Sequence, residues 1–317
     1  MAANSLQPLV ELIDPLRARI RAGLGSNGIE DVAFMGGLSD IYPFQPAMSL
    51  DLDFFIRVAE RNSRVGAWLL SVTEWCDEVL RRWNGHCDVR VVRGPIKPVH
   101  ERLTDIAITL HPAVFSADEY AKMSPFLRWG WRKYRCEVDT TWLARLAPAD
   151  PPTPQALLTC RGGVLRTLLK LREGTVELRE WCLPDFRETT LVALHGDTLF
   201  IEYCLSKAAG AARNHARCLG WLEPDYLTND EFGPWYLSNI MGSNAFERLM
   251  IAKRTARLSG YGSIDTDVRW LAIEYFTELE TAVAGPQAGQ RRSAALAGHP
   301  AAEPPTPSRI GRDSGTG

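Results

Sequence analysis

No run of eighteen apolar residues occurs in this 317-residue chain, so nothing in it reads as a membrane-spanning helix. A basic surplus is missing too: 36 Lys+Arg stand against 38 Asp+Glu, a formal net charge of −2. That argues against a dedicated nucleic-acid binder and leaves room only for a local basic patch. No Cys-x-x-Cys pair appears. The seven cysteines, at 76, 87, 136, 160, 182, 204 and 218, are odd in number and follow no zinc-site spacing. Reduced thiols in a cytoplasmic protein fit this better than a disulfide framework. The opening residues, MAANSLQPLVELIDPLRARIRAG, lack the basic-then-apolar layout of a secretion signal. Internal repeats are absent, and from Ala284 onward so are aromatic residues. That last stretch is rich in Pro, Gly, Ala and Arg, with Leu296 and Ile310 as its only large apolar side chains. It cannot bury enough surface to offset the entropy of ordering, so residues 284–317 are expected to be disordered.

What remains is the composition of a globular protein, 45% hydrophobic and 23% charged, long enough for two domains. Leu6, Leu9, Val10, Leu12, Ile13, Leu16 and Ile20 recur at helical spacing, which predicts a helix over 5–23 with a complication at Pro15. Strands are predicted at Asp31–Met35, Asp51–Val58, Cys87–Val92 and Asp105–Leu110, with a helix over 64–83 closed by Asn84-Gly85. The fold class is therefore α+β, with a mixed sheet in residues 1–115. A connecting segment follows at 116–153, where "LAPADPPTP" reads as a linker. A helical domain is predicted over 154–283, with helical spacing near 154–173, 198–219, 231–258 and 264–283. "GTVELREW", inside 175–194, reads equally as strand or helix.

The informative stretch is "FMGGLSDIYPFQPAMSLDLDFFI", Phe34 to Ile56. On a strand alternate residues share a face, so Asp51 and Asp53 point the same way while Leu52 and Phe54 point to the other. Two close carboxylates repel, and they tend to share a proton or hold a cation. With oxygen ligands alone the natural ion is Mg²⁺, which keeps waters and substrate phosphates in its shell. In "TDIAITLH", Asp105, Ala107 and Thr109 share one face, so a third carboxylate sits at the mouth of a strand able to pair beside the first. Three carboxylates can hold two metals about 4 Å apart. Gly36-Gly37 lets backbone amides approach a phosphate closely, and Ser39 adds a hydroxyl. Ser39 is equally suited to capping a short helix.

With these residues in place, the chain resembles the DNA polymerase β-like nucleotidyltransferase superfamily. The resemblance rests on Met35-Gly36-Gly37, thirteen intervening residues, Asp51-Leu52-Asp53-Phe54 and the later Asp105, within residues 30–110. It implies a small mixed sheet flanked by helices, with two Mg²⁺ ions. It also implies transfer of a nucleoside monophosphate from an NTP to an acceptor. On this resemblance Gly36, Gly37 and Ser39 hold phosphates and Asp51 and Asp53 bind metal. Asp105 is then the third ligand or the general base. Lys207, on a predicted helix of the second domain, would meet the triphosphate, with Tyr203 one turn earlier as a base-stacking candidate. The spacer "LSDIYPFQPAMSL" departs from relatives with a short basic spacer, since it is longer, largely apolar and free of Lys and Arg. The acceptor is therefore open between a small molecule, which the net charge favours, and tRNA or protein. The basic and aromatic "RWGWRKYR" (128–135) would serve a tRNA or protein acceptor. A degenerate, non-catalytic nucleotide-binding module is a further alternative. Lys97, His100 and His111 complete the candidates as phosphate or acid–base groups, each equally readable as an ordinary structural side chain.

Overall fold

The computed structural model describes residues 7–38, 49–93, 106–122, 154–221, 227 and 229–284. The linker segment 123–153, the spacer residues 39–48 and the C-terminal stretch 285–317 lie outside them, and with them the expected disorder of the tail. Helix α1 (Gln7–Arg21) is the first described element, and most of its predicted stripe is its buried face: Leu9, Leu12, Ile13, Leu16 and Ile20 are at most 4% exposed, whereas Val10 is exposed and Leu6 lies outside the described residues. Next come β1 (Ile29–Phe34), a 3₁₀ turn over Gly36–Leu38, β2 (Ser49–Val58) and α2 (Ser63–Leu80). Asn62 caps α2, its Oδ1 accepting the amides of Arg64 and Val65 at 3.0 and 3.2 Å, worth ~1 kcal/mol to the helix.

β3 (Gly85–Val89), β4 (Val91–Arg93), β5 (Ile106–Phe115) and α3 (Ala117–Lys122) complete this half. A four-stranded sheet in the order β1-β2-β5-β3 forms its centre. β1 runs antiparallel to β2, whereas β5 lies parallel to both β2 and β3, so the sheet is mixed. The even-numbered residues of β2, Leu50 to Val58, face α1 and α2 and build one core with them. On the opposite face Ala33, Phe55, Phe115 and Tyr120 of α3 form a small second cluster. That cluster covers the C-terminal end of β2, and the N-terminal end of the same face carries polar side chains.

The strand expected over Cys87–Val92 is two strands. Arg90 still donates its amide to the Leu110 carbonyl at 2.9 Å, but β4 beyond it joins a second sheet with β6 (Thr175–Cys182) and β7 (Arg187–Leu194), in the order β4-β6-β7. Arg90 also ties the sheets electrostatically, pairing with Asp88 at 2.7 Å and Glu180 at 3.2 Å.

The described residues from 154 onward are mainly helical: α4 (Pro154–Glu173), α5 (Thr198–Cys218), α6 (Asn229–Asn239), α7 (Asn244–Ser259) and α8 (Val268–Ala284). The ambiguous 175–194 segment is a β-hairpin, β6 (Thr175–Cys182) and β7 (Arg187–Leu194), fully paired from Thr175–Leu194 to Cys182–Arg187. The helical pattern over 231–258 is two helices rather than one. Met241-Gly242-Ser243 interrupts it, and Ser243 Oγ caps α7 by accepting the Phe246 amide at 3.1 Å. α5 is the central element, burying Phe200, Tyr203, Cys204, Leu205, Ala208, Ala212 and Ala216 against α4, α7 and α8. Its buried Glu202 is accommodated by hydrogen bonds. The carboxylate accepts from Ser206 and from Tyr261 (2.6 Å), and Lys253 Nζ lies 3.7 Å away.

The hairpin locks the two halves together. Phe186, at its turn, is 5% exposed and belongs to the core under the first sheet. The Arg61 guanidinium lies 4.5 Å from the Trp181 ring centroid and donates to the Val114 carbonyl at 3.0 Å. Gly66 of α2 passes so close to the turn that a Cβ there would sit 2.0 Å from the Pro184 carbonyl oxygen. Within an ordinary helix Gly→Ala is stabilising by about 1 kcal/mol. Here the clash reverses the sign, and overpacking of this kind costs ~1–3 kcal/mol. Gly66→Ala is therefore expected to lower the melting temperature by a few degrees, at ~2–4 °C per kcal/mol. A rise on thermal denaturation would contradict this docking.

Candidate metal centre

The polar end of the sheet's open face is built by register. β2 and β5 pair in parallel so that Asp51 lies opposite Thr109 and Asp53 opposite His111. Strand alternation then sends Asp51, Asp53, Thr109 and His111 to the same side. Their β2 neighbours Leu50, Leu52 and Phe54 go into the core beneath α1 and α2, which is why the strand cannot slip by one residue without burying both carboxylates.

The side chains of Asp51, Asp53 and His111 are 16%, 23% and 13% exposed. His111 Nδ1 lies 3.1 Å from Asp53 Oδ1 and 3.9 Å from Asp51 Oδ1. One ligand atom from each of the three falls within 4.8 Å of the others, so they can close on one ion. Two carboxylates this close and this screened from water repel one another, and a cation held between them relieves that repulsion. Two carboxylate oxygens and one imidazole nitrogen suit a divalent cation. Oxygen alone favours Mg²⁺, whereas imidazole extends the range to Mn²⁺, Fe²⁺ and Zn²⁺. Thr109, opposite Asp51 on β5, is fully buried on the same side of the sheet.

The glycine turn reaches the same place. After the last paired residues of β1 and β2, Phe34 and Phe54, the Met35 amide donates to the Asp53 carbonyl at 3.1 Å. Gly36-Gly37 follows at once as the 3₁₀ turn. Two contacts anchor the turn: Leu38 is fully buried, and its carbonyl accepts from Arg17 Nε at 2.6 Å. The backbone thus places the glycines beside the residue that carries the second carboxylate.

Of the residues singled out from sequence, the structure brings Gly36, Gly37, Asp51 and Asp53 together. Asp105, Ser39, Lys97, His100 and the segment 128–135 lie outside the described residues. His111, a candidate acid–base group from the sequence, joins Asp51 and Asp53 as a third possible metal ligand, a role the sequence reading did not give it. Its signal was available in the alternation of "TDIAITLH", since residue 111 shares the face of 107 and 109.

Lys207 stands on α5, in the helical half. Burial, with Lys170 and Arg166 nearby on α4, pulls its amine down to about 8. Its Nζ lies 5.4 Å from the Tyr203 ring centroid, and among the described residues no carboxylate pairs with it. Tyr203 is 4% exposed and belongs to the helical core, which takes its ring away from the base-stacking role considered for it. The sign of the linkage at Lys207 is clear. Its folded pKa is below the ordinary lysine value, so between about 8 and 10.5 the unfolded chain binds the extra proton and stability rises with pH. Lys207→Met removes that dependence. In urea titrations the variant is expected to be the more stable at pH 7, with the gap closing as pH approaches 10. A gap independent of pH would contradict a half-buried amine that no carboxylate among the described residues pairs with.

No protein-family model matches the chain, and neither a curated protein nor a solved structure does. What stands on geometry is a mixed α+β fold with a carboxylate–imidazole cluster that can hold a divalent metal.

Proposed function

We propose that the chain is a divalent-metal-dependent nucleotidyltransferase. It would move a nucleoside monophosphate from an NTP to a hydroxyl or phosphate of a small acceptor and release pyrophosphate. The observation that carries this reading is the union of two parts. The Gly36-Gly37 turn is hydrogen-bonded through Met35 to the backbone of Asp53, whose carboxylate converges with Asp51 on one spot. Phosphate binding needs backbone amides free of side chains, and phosphoryl chemistry needs carboxylates to place its metal.

Asp51 and Asp53 hold the metal in this reading, and His111 either joins them or fixes the Asp53 carboxylate by its hydrogen bond. Two Mg²⁺ ions, when bound, would supply neutralisation of the triphosphate and activation of the attacking oxygen. Asp105 is proposed as the third ligand or as the base that takes the acceptor's proton. The glycine amides orient the phosphates, and Lys207 offers positive charge from the helical half. Most of the rate enhancement would then come from positioning and fixed charge.

One observation favours a second reading, a metal- or nucleotide-binding module without transferase activity: the imidazole in the ligand set departs from an all-oxygen Mg²⁺ site. A single assay separates the two. Pyrophosphate release is measured with each NTP, with Mg²⁺ or Mn²⁺, against hydroxylated and phosphorylated small molecules, tRNA and protein acceptors. Acceptor-dependent release is expected with a small molecule. Binding of metal–NTP with no release under any pairing would favour the module, and release only with tRNA or protein would move the acceptor class.

A further inference from the structure

The edge of the second sheet carries an inference independent of the metal centre. β7 stands last in the order β4-β6-β7, so one of its edges pairs with β6 and, among the described residues, no strand pairs with the other. Its sequence, RETTLVAL, holds neither Pro nor Lys, the usual guards of an open edge. Every residue of it but Ala193 is exposed, Leu191, Val192 and Leu194 by 40%, 59% and 53%. The ladder fixes which backbone groups face outward. The His195 amide donates to the Gly174 carbonyl at 2.8 Å, in register with the hairpin. Opposite residues of an antiparallel pair alternate between bonded and non-bonded. Thr189, Leu191 and Ala193 therefore bond to β6, while Thr190, Val192 and Leu194 turn their amides and carbonyls away from it. The Leu194 amide agrees with this parity, since Asp197 Oδ2 beyond the strand accepts it at 2.7 Å.

We propose that this edge is a homodimer interface, in which β7 pairs antiparallel with β7 of a second copy about a two-fold axis at Leu191. The two small sheets then join into one continuous sheet of six strands. Strand addition at an open edge draws its affinity from main-chain hydrogen bonds, so only registers that set outward-facing residues against each other count. With Leu191 on the axis, Thr190 of one copy exchanges both bonds with Val192 of the other, twice over by symmetry. The pairing stops at Leu194, whose amide Asp197 already holds.

Side chains favour a second copy as the partner. Leu191 shares a face with Ala193, which is buried in the helical core, yet Leu191 itself is left exposed at the edge. Its own copy covers it, because a non-bonded pair on the axis brings two side chains closest together. Charge agrees. The exposed Arg187 of each copy lies across from His195 of the other, within reach of the exposed Asp197 two residues on. Glu188 adds no repulsion there, since Arg179 balances it at 3.0 Å. The neighbouring registers fit less well. An axis at Thr190 sets Leu191 against Thr189 and takes Arg187 away from Asp197. An axis at Val192 directs Thr190 onto the Leu194 amide that Asp197 occupies.

The full chain is followed by analytical ultracentrifugation over a dilution series, with reductant present, and a dimer is expected. Val192→Pro removes an amide that faces away from β6, so the hairpin keeps its own bonds and circular dichroism should show the fold kept. Two hydrogen bonds between the copies are lost, and the dimer is expected to weaken ~10-fold or more. Leu191→Cys tests the axis. A non-bonded cross-strand pair has the Cβ separation that a disulfide needs, so mild oxidation should give a covalent dimer whose digest links 191 to 191. If Val192→Pro fails to fold, the cross-link decides alone. A wild type that is monomeric throughout, or a dimer that Val192→Pro leaves intact, would overturn the proposal. So would a Leu191→Cys protein that stays unlinked while Thr190→Cys or Val192→Cys links. Slow hydrogen exchange at the Thr190 and Val192 amides of a monomer would overturn it too, in favour of a segment of the same chain on the edge.

Discussion

Asp53→Asn is expected to lower acceptor-dependent pyrophosphate release by about 10³-fold or more, and Asp51→Asn to do the same. Stabilising transition-state charge through a bound metal is worth several kcal/mol, and each 1.36 kcal/mol is a factor of ten. Asparagine keeps the shape of the side chain and removes only its charge. It also relieves repulsion between two carboxylates that share a half-buried spot, so the melting temperature should hold or rise. This combination, activity lost and stability kept, is what separates a functional pair of carboxylates from a structural one. If both variants instead melt many degrees lower and retain activity in proportion to folded protein, the carboxylates serve the fold, through His111, rather than the chemistry.

His111 gives the second large effect. If its imidazole is a ligand, wild type binds Mn²⁺ more tightly than a two-carboxylate site would, and His111→Ala weakens Mn²⁺ binding by at least ~10-fold, the lower end of the losses seen even for residues that only orient ligands. His111→Asp swaps nitrogen for oxygen and shifts preference back toward Mg²⁺. Titrating each protein with Mn²⁺ by EPR, and competing with Mg²⁺, reads both changes. Equal Mn²⁺ affinity in wild type and His111→Ala would mean that the histidine is only a hydrogen-bond partner of Asp53. In that case His111→Gln, which offers a side-chain hydrogen-bond donor but is a poor metal ligand, should behave as wild type does.

Much of this was legible before any coordinates. The stripe on α1 and the alternation of β2 are strong periodic signals, and both elements lie where those signals put them. Asp51 and Asp53 were readable as a pair because strand alternation is a local rule. The face that His111 shares with Ala107 and Thr109 is readable by the same rule, but not that this face meets the pair. Which residue of β5 faces Asp51 depends on the register between strands separated by some fifty residues, and only the pairing itself puts Thr109 and His111 there. Register of this kind is set by the hydrophobic faces and the connections, which a single sequence does not rank. The same limit explains the strand break at Arg90. Its local pattern is continuous, and the division comes from β4 finding a partner in β6, almost ninety residues later. The 175–194 hairpin is mostly exposed along β7, so it lacks the alternation that would have marked it as strand. The split between α6 and α7, by contrast, is a local signal, Gly242-Ser243, a turn followed by a cap.

The most direct test of the central claim is equilibrium binding of Mn²⁺ with a non-hydrolysable NTP analogue, measured by EPR on wild type and on the Asp51→Asn/Asp53→Asn double variant. The account predicts that wild type takes up the metal and the analogue together, each tightening the other, and that the double variant loses this uptake by about 100-fold while keeping its fold. Metal–NTP binding of equal strength in the two proteins would contradict it.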